Sequence, residues 1–568
     1  MRNPAPTPLP RTAAALAAHA PRRVPAWLVW SFAIAVVLTY VGLLGHFPLN
    51  EPDEPRYGEI PREMLVLHDW VTPHLNFVKY FEKPPLVYWL NAATFKVFGT
   101  SEFAVRLWPA LFALLGIGVA FALGRAMFDP WVGYLAAAIL ATSPFYFGLS
   151  QIVILDMPLS ILMSVALGAF WFAYAAGDRG RRRPWLLLLY AATALAVLTK
   201  GPVAVVLEGG VIVGFLVLRG ELRALRWAVS PLGIALFMAV AMPWFVLVSR
   251  RNPEFVDFFI IKQHVARFLT PDEHQEGVWF FVPVVLFGML PWTLFVLCAP
   301  YRLGRFARDV LYRRVSVGTL YCVVWAGVVF AFFSLSGSKL ATYVLPMFCP
   351  LAVLAGRFFD RLIRDGDAAV LRRGNRGLLI AAGLVLVAAF VTAQVSDNWR
   401  VGVIVPRAYG GAALLATVAA WALRCVRRNA LAASLAPLLF GMLVVQLVAI
   451  SGRQVAAQYR PLGLVVRAHA QPDDLVIDYR HYIQGVTFYG QRRTIMVGGR
   501  GELDFGSRQG DQRAFFWDTD EQLLEAWASG RRAFLIINRS ELEAIRRQLH
   551  PVPRQIAAHG KKVIVVNF

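Results

Sequence analysis

The sequence predicts an α-helical polytopic membrane protein that ends in a small α/β domain. Hydrophobic residues make up 58% of its 568 residues and charged residues only 16%, whereas soluble domains contain roughly 25% charged residues. The apolar residues gather in stretches of about 20, the length at which a helix spans a bilayer. The last fifth of the chain returns to a mixed composition. A soluble enzyme and an intrinsically disordered chain are both excluded, because so much apolar surface cannot remain in water.

About thirteen stretches are apolar and long enough, or nearly so, to form membrane-spanning helices. The first follows Arg22 and Arg23, as a signal peptide would, but it is long and has no small-residue cleavage site, which favours an uncleaved anchor. The predicted spans cover approximately residues 25–46, 104–123, 131–149, 157–176, 185–199, 203–218, 228–249, 278–299, 317–335, 341–356, 377–395, 407–423 and 431–450.

The formal charge of +22 indicates orientation in the membrane rather than binding to nucleic acid. Arginines occupy every second loop, beginning with Arg22 and Arg23 and ending with Arg427 and Arg428. Short cytoplasmic loops collect Lys and Arg. The pattern therefore predicts a cytoplasmic N-terminus and, after an odd number of spans, a C-terminus on the outer face.

Two domains are predicted: residues 1–450 form the transmembrane domain, and residues 451–568 form an α/β domain on the outer face. The first includes an unusually long outer loop, 47–103. In the second, short β-rich runs at 475–477, 533–537 and 563–566 alternate with helical patterns. The sequence has no Walker loop, which argues against an ATP-driven pump. No C-x-x-C spacing occurs among its cysteines, so neither a disulfide framework nor a thiolate zinc site is predicted for Cys298, Cys322, Cys349 and Cys425.

The long outer loop carries a dense group of ionisable residues, from Glu51 to Glu63. On composition alone, this group could be a solvated turn beside a helix N-terminus. Farther along, the apolar run Leu86 to Phe98 covers only about 20 Å as a helix, which is too short for a bilayer core and indicates a helix along the interface. Between the two lies Glu82-Lys83, a charged pair followed by two prolines.

These strings resemble the first outer loop of the bacterial aminoarabinose transferases, which are related to the protein O-mannosyltransferases. The matching strings cover most of the membrane part, whereas the C-terminal domain adds little. In the first outer loop they are Pro52-Asp53-Glu54-x-Arg56-Tyr57, Arg62-Glu63-Met64, Asp69-Trp70, Pro73-His74, Tyr80-Phe81-Glu82-Lys83-Pro84 and Tyr88-Trp89-x-Asn91. The resemblance recurs later in the chain at Thr199-Lys200-Gly201-Pro202, His264-x-x-Arg267-Phe268 and Lys339-Leu340-x-Thr342-Tyr343-x-Leu345-Pro346.

The resemblance implies the GT-C glycosyltransferase fold and an inner-membrane enzyme that transfers a sugar from a polyprenyl phosphate carrier. In this branch the sugar is 4-amino-4-deoxy-L-arabinose, the carrier is undecaprenyl phosphate, and the acceptor is a lipid A phosphate at the periplasmic face. The added cationic sugar lowers the negative surface charge, so the implied consequence is resistance to polymyxin and other cationic peptides. Both partners are lipids, and the C-terminal domain is implied to be periplasmic.

Such a reaction needs cations, because negative charge grows on the carrier phosphate as the glycosidic bond breaks. Cations near outer span ends can supply charge-assisted hydrogen bonds to phosphate. Each of them could instead snorkel to lipid headgroups, and an interfacial tyrosine could belong to the aromatic belt. The candidate donor-binding residues are Arg56, Tyr57, Lys83, Lys200, Arg267, Lys339 and Tyr343.

A carboxylate is needed to orient the acceptor or to act as a general base. Asp53 is the first candidate, and Asp156 and Glu82 are the others. A phosphate acceptor is already anionic near neutral pH, so Asp53 would position it, bind the sugar amine or hold a cation. Asp156 could instead cap the following helix. Glu82 and His264 are candidate ligands of a divalent metal ion, although two donors far apart in sequence also suit ordinary hydrogen bonding.

Two rival functions remain open from the sequence. One is a relative with the same donor chemistry but another sugar or acceptor, such as a mannosyltransferase acting on protein hydroxyls. The other is a lipid or ion transporter, which Glu208 favours because it lies among apolar residues of a predicted span. Most other ionisable residues lie in the outer loops, whereas transporters typically place theirs near the bilayer midplane.

Overall fold

The computed structural model describes residues 25–259, 276–395, 399–452 and 458–568. The membrane part is almost entirely helical. Its helices are α1 Ala26–Val41, α2 Asp53–Leu67, α3 Leu86–Phe98, α4 Glu102–Met127, α5 Pro130–Ala141, α6 Pro144–Ser150, α7 Asp156–Ala175, α8 Arg179–Lys200, α9 Val203–Arg219, α10 Leu225–Ala228, α11 Pro231–Arg251, α12 Phe281–Gly288, α13 Trp292–Leu297, α14 Pro300–Leu311, α15 Val317–Leu335, α16 Phe348–Arg364, α17 Ala368–Val395, α18 Trp399–Arg427 and α19 Leu435–Ile450.

This is a multi-pass membrane protein. Each predicted span lies on helical segments, but within the described residues only 7 helices are long and apolar enough to cross a membrane by themselves, or 8 if one bent pair counts as a span. The others are short or interrupted. The region predicted as one span at 278–299, for example, is two short helices, α12 and α13, separated around Pro291, which cannot donate a helical hydrogen bond.

The bent pair shows how a break is tolerated inside the membrane domain. Helices α5 and α6 meet at 63° across Thr142 and Ser143, which precede Pro144. Both hydroxyls donate to carbonyls of the last turn of α5, and the Thr142 hydroxyl also accepts from the indole of Trp292 at 3.1 Å. Buried protein groups therefore satisfy the freed backbone, as an apolar environment requires.

The long outer loop folds into helix α2, a β-hairpin and helix α3. The hairpin joins β1 His74–Leu75 to β2 Val78–Lys79 through Asn76 and Phe77, whose φ angles of 51° and 60° suit the left-handed turn that matches strand twist. The Asn76 amide is fully buried and exchanges two hydrogen bonds with the backbone of Thr494 in the C-terminal domain. The hairpin is thereby fixed to that domain.

The C-terminal domain is built on a six-stranded mixed sheet with the order β5-β4-β3-β6-β8-β7. Strands β3, β6 and β8 are buried on both faces, which explains why they read as continuous apolar runs in the sequence. The elements of this domain are α20 Arg460–His469, β3 Leu475–Tyr479, α21 Gln484–Gly490, β4 Ile495–Val497, α22 Asp504–Ser507, β5 Phe516–Trp517, α23 Asp520–Ala528, β6 Ala533–Asn538, α24 Arg539–Ile545, β7 Arg554–His559 and β8 Lys562–Val566.

The outer loop and the C-terminal domain share one apolar core. Ile60 and Met64 of α2 are fully buried with Phe488 of α21 and Met496 of β4. A side chain at Gly58 would meet the Phe488 ring at 2.8 Å, so glycine allows α2 to approach the domain closely. The candidate site therefore lies on a support to which both domains contribute buried side chains.

Candidate active site

Several helix ends meet at one end of the bundle and enclose a cavity of about 250 Å³. Asp156 begins α7, Lys200 ends α8, and Val203 begins α9, so the three residues lie at the same level. Lys83, from the loop before α3, also lines the cavity. Residues that are more than a hundred positions apart in the chain thus come together at a single point.

Lys200 is a cation of this cavity that is held by an acid and an aromatic ring. Its amine donates to the Asp156 carboxylate at 2.6 Å and lies over the Tyr343 ring at 4.6 Å. Gly201 follows at a φ of +93°, a conformation that a side chain would strain, and this turn directs the chain from α8 into α9. The amine is held by a carboxylate and an aromatic face, and it still borders the cavity.

The opposite wall of the cavity is apolar. Val203, Phe332 and Phe333 line it together with Val206, which is 54% exposed. Exposed valines on a helix of the membrane domain suit contact with lipid hydrocarbon, so this wall of the cavity can adjoin the bilayer. An occupant can therefore combine an anionic headgroup with an apolar tail.

A tight turn after α15 supplies hydroxyl groups to the same cavity. The Ser336 hydroxyl donates to the Ser338 carbonyl at 3.1 Å, and the Lys339 amine donates to the Ser336 carbonyl at 2.6 Å. The Ser338 hydroxyl is buried and has no hydrogen-bond partner among the described residues. A buried hydroxyl without a hydrogen bond costs folding free energy unless a ligand or a water molecule bonds to it.

A second polar group surrounds Arg56 in α2. Its guanidinium pairs with Asp53 at 3.0 Å and with Glu502 of the C-terminal domain at 2.5 Å. Asp53 is half exposed, whereas Glu502 is largely buried. Burial raises the pKa of Glu502, and the Arg56 charge opposes this shift. The C-terminal domain therefore contributes a carboxylate directly to the candidate site.

Three buried tyrosines connect this group to the cavity. Tyr57 stacks on Tyr88 with ring centres 6.2 Å apart, and Tyr57 lies within electrostatic range of both Glu82 and Asp156. The hydroxyls of Tyr80 and Tyr88 are buried without a hydrogen-bond partner within the described part of the chain. Such hydroxyls are suited to receive the hydroxyl and amino groups of a sugar.

Glu54, which adjoins Asp53, has a structural role that the sequence did not indicate. The fully buried guanidinium of Arg106 in α4 binds both of its oxygens, at 2.7 and 2.8 Å, and also donates to the carbonyls of Leu44, Phe47 and Pro48. This bidentate pair fixes the start of α2 to α4 and closes the loop that precedes it.

The structure brings together Asp156, Lys83, Lys200 and Tyr343 around the cavity and groups Asp53, Arg56, Tyr57 and Glu82 beside it. Lys339 is buried in the turn after α15. The predicted residues His264 and Arg267 lie outside the described residues. Within the described ranges, no three His, Cys, Asp or Glu side chains are grouped as metal ligands, so the metal site at Glu82 and His264 stays a prediction.

The sequence did not predict Arg106, Glu502 or the serines of the turn at 336–338 as site residues. Arg106 did carry a signal, because an arginine inside a predicted span needs a buried partner. Glu502 carried none, since nothing in its local sequence links it to Arg56. Glu208, the residue that favoured a transporter, is buried in α9 and accepts a hydrogen bond from the Thr193 hydroxyl of α8.

The stability of the outer half is expected to fall as the pH rises toward 8, because of Glu51. Glu51 is partly buried at the domain contact, and its carboxyl accepts a hydrogen bond from the Gly485 N–H at 2.6 Å. Burial raises its pKa from 4.5 to about 8, with further raising by Asp478 and Glu502. Between these values the folded protein holds a proton that the unfolded chain releases, so the stabilisation is complete below about pH 4.5 and is lost progressively up to about pH 8.

Glu51→Gln keeps the oxygen that accepts from Gly485 and removes the titration. Its thermal unfolding temperature in detergent should therefore fall less between pH 5 and pH 8.5 than that of the parent. Glu543→Gln is the matched control, because Glu543 is 67% exposed and should leave the pH profile unchanged. Identical profiles for Glu51→Gln and the parent would contradict the assignment.

Comparison with known proteins agrees with this geometry. The model of the dolichyl-phosphate-mannose-protein mannosyltransferase family matches residues 26–259, and that of the aminoarabinose transferase C-terminal domain matches residues 462–567. The undecaprenyl phosphate-α-4-amino-4-deoxy-L-arabinose arabinosyl transferase of Edwardsiella ictaluri is 30% identical over 64% of this chain and 64% of its own. The enzyme of that name from Pseudomonas aeruginosa is 32% identical over 64% and 65%. These alignments thus cover slightly less than two thirds of the relatives' length.

Solved structures extend the likeness to nearly the whole chain. The crystal structure of ArnT from Cupriavidus metallidurans bound to undecaprenyl phosphate superposes with a TM-score of 0.87 at 28% identity, covering 96% of this chain and 99% of that one. An archaeal oligosaccharyltransferase from Archaeoglobus fulgidus, at 14% identity and a TM-score of 0.50 over 92% and 71%, shares the fold alone. The chain therefore has an ArnT-like GT-C fold, and it is similar to the aminoarabinose transferases over nearly its whole length.

Proposed function

We propose that the protein transfers 4-amino-4-deoxy-L-arabinose from undecaprenyl phosphate to a phosphate of lipid A. The observation that carries the proposal is the cavity in which Lys83 and Lys200 face an apolar wall open to lipid. A polyprenyl phosphate has the same two-part chemistry, an anionic headgroup on a hydrocarbon tail. The names of the curated relatives and the ligand of the Cupriavidus protein support this donor.

In the proposed reaction, an oxygen of the acceptor phosphate attacks C1 of the sugar. The bond between C1 and the donor phosphate oxygen breaks, and undecaprenyl phosphate leaves with the bonding electron pair. The amines of Lys83 and Lys200 stabilise the charge that grows on the leaving phosphate. Asp156 holds the Lys200 amine at 2.6 Å and so fixes the direction in which it acts.

The sugar of the donor would occupy the space between the two polar groups. The unpartnered hydroxyls of Tyr80 and Tyr88 can bond its hydroxyls, and the carboxylates of Glu82 and Glu502 suit its ammonium group. Asp53 is half exposed, so the approaching acceptor can reach it. An acceptor phosphate needs little proton removal near neutral pH, and the role of Asp53 is therefore to orient the reactants.

The proposed site faces the periplasm. Its residues lie at the bundle end that contacts the C-terminal domain, since Glu502 of that domain pairs with Arg56. The arginine-rich loops occupy the other end, for example around Arg302, which pairs with Asp365 and Asp367. By the positive-inside rule the latter end is cytoplasmic. The N-terminus would thus be cytoplasmic and the C-terminal domain periplasmic, in the bacterial inner membrane.

Reconstitution with defined lipids tests the proposal. The purified protein, given undecaprenyl phosphate-aminoarabinose and lipid A, should produce lipid A that is heavier by one aminopentose residue in mass spectrometry. Asp53→Asn should lower the rate about 100-fold, the scale on which misplaced reactants slow a reaction. Polyprenyl phosphate-mannose with a protein acceptor serves as the comparison, because the mannosyltransferase family model also matches.

Transfer of mannose in preference to aminoarabinose would replace the proposed function with that of a protein mannosyltransferase. Movement of the donor lipid across the vesicle membrane without any chemical change would make the protein a transporter. An undiminished rate in Asp53→Asn would remove this residue from the site while leaving the reaction itself intact. The three results are separable because the first is read from the identity of the product, the second from the location of unchanged donor lipid, and the third from the rate of aminoarabinose transfer.

A further inference from the structure

The segment between Gly501 and Asp518 of the C-terminal domain has an inner and an outer side. On the inner side, Glu502 pairs with Arg56 at 2.5 Å, and the Phe505 ring lies 5.8 Å from that of Phe81, two residues before Lys83. On the outer side, the same segment lines an open cleft of about 400 Å³. The cleft and the candidate active site thus share one short piece of chain.

The cleft is polar and its charges are balanced. The Arg500 guanidinium donates to Asp518 at 2.6 Å and to the Ser507 hydroxyl at 2.9 Å. A second pair, Arg513 with Asp511 at 2.8 Å, lies on the same cleft. The lining thus contains two cations and two anions, so it presents both hydrogen-bond donors and acceptors.

We propose that this cleft binds the saccharide headgroup of the glycolipid acceptor. A sugar hydroxyl both donates and accepts hydrogen bonds, and a lining of guanidinium and carboxylate groups matches that need. An isolated phosphate would instead require excess positive charge, as in the cavity whose described lining includes the two cations Lys83 and Lys200 and one carboxylate, that of Asp156. The inference rests on the proposed function, because it identifies the occupant with the acceptor of that reaction.

The position of the cleft is fixed relative to the active site. A side chain at Gly506 would meet the Lys79 carbonyl oxygen at 2.3 Å, so the absence of a side chain lets α22 lie directly on the hairpin strand β2. Phe505 also packs on Phe258 with ring centres 4.1 Å apart. A headgroup held in the cleft would therefore lie beside the site, where an acceptor must approach while the donor tail remains in the lipid.

Arg513→Gln combined with Asp518→Asn tests this inference. The two side chains are 90% and 69% exposed, so the variant should fold. Arg508→Gln is the matched control, because Arg508 is 69% exposed in the same segment and pairs with Asp504 at 2.8 Å but does not line the cleft. The measurements use full-length protein in nanodiscs and purified lipid A as the probe, with binding and initial transfer rates followed separately.

In the double variant we expect the Kd for lipid A and the KM for lipid A to rise about fivefold to tenfold, the effect of losing one or two hydrogen bonds. The KM for the donor should stay within twofold, and Arg508→Gln should match the parent in every measurement. Inorganic phosphate at millimolar concentration should not compete with lipid A for the cleft.

Values of Kd and KM within twofold of the parent would overturn the cleft as an acceptor site, as would a parent that does not bind lipid A. If the parent binds lipid A without transferring sugar to it and the double variant binds it more weakly, the cleft stands and the proposed reaction fails. If the parent transfers normally and the double variant does too, the reaction stands and the cleft fails.

Discussion

Lys200→Met should lower kcat/KM for transfer by about 10² to 10³, the usual loss when one group that stabilises developing charge is removed. The Lys200 amine lies between the Asp156 carboxylate and the Tyr343 ring and borders the cavity. Its removal takes away one of the two lysines that line the cavity in the described part of the chain. It also leaves Asp156 without this partner, so the donor phosphate would face an unneutralised negative charge. Initial rates with undecaprenyl phosphate-aminoarabinose measure the effect.

Lys96→Met is the matched control, because Lys96 is an exposed lysine of α3 that lies over the Trp70 ring at 4.9 Å, on a helix of the same outer loop. It should retain parental rates. Lys83→Ala should also lower kcat/KM for transfer, as Lys200→Met does, since both lysines line the cavity. A Lys200→Met rate within threefold of the parent would exclude Lys200 from binding the donor phosphate.

Arg106→Met should destabilise the protein by about 3–5 kcal/mol, the cost of removing one partner of a buried ion pair. The Glu54 carboxylate would lose both of its guanidinium bonds, and the carbonyls of Leu44, Phe47 and Pro48 would lose their donor. Because these groups hold the start of α2, the variant should lose transfer activity as well as stability. Denaturant titration in detergent, followed by tryptophan fluorescence, measures the free energy of unfolding.

Arg181→Met is the control for Arg106→Met, because Arg181 is 82% exposed and its pair with Asp178 spans 3.3 Å on the surface. An exposed pair contributes at most about 1 kcal/mol, so this variant should unfold like the parent. The double variant Arg106→Met with Glu54→Met should recover part of the loss, since neither buried charge then remains unpaired. A small effect of Arg106→Met alone would show that the pair does not hold α2.

Hydropathy predicted the helical membrane domain because every spanning helix must satisfy its own backbone hydrogen bonds and present an apolar surface to lipid. Regular α4 and α17 follow this rule closely. The prediction was less accurate where the chain is buried inside the bundle, as at Thr142 and Ser143, because there neighbouring side chains can satisfy a broken helix. The length and composition of a segment do not show whether neighbouring side chains will satisfy the backbone at such a break.

The β-rich runs of the C-terminal domain were recognised for a related reason. Strands β3, β6 and β8 are buried on both faces, so their sequences are continuously apolar, and the structure confirms the α/β domain. The short strand β5 Phe516–Trp517 carries no such signal. Its place at the sheet edge depends on pairing with β4.

The candidate residues were found in the sequence because they stand in dense local strings, as Asp53 and Arg56 do. Their partners were not found when they came from distant parts of the chain. Glu502 is more than 400 positions from Arg56, yet the two side chains pair at 2.5 Å. Arg106 stands alone in an apolar stretch, and only the fold shows that Glu54 is its partner.

Composition and local motifs by themselves determined that this chain is a multi-pass membrane protein, which family it resembles, and which side chains carry its charge. Those properties are local, since they depend on hydropathy within about 20 residues and on short strings. The tertiary structure alone decided that Lys83, Asp156 and Lys200 border one cavity beside an apolar wall, and that the C-terminal domain reaches Arg56. Packing of distant segments sets these distances, and short linear patterns of residues do not show which segments meet.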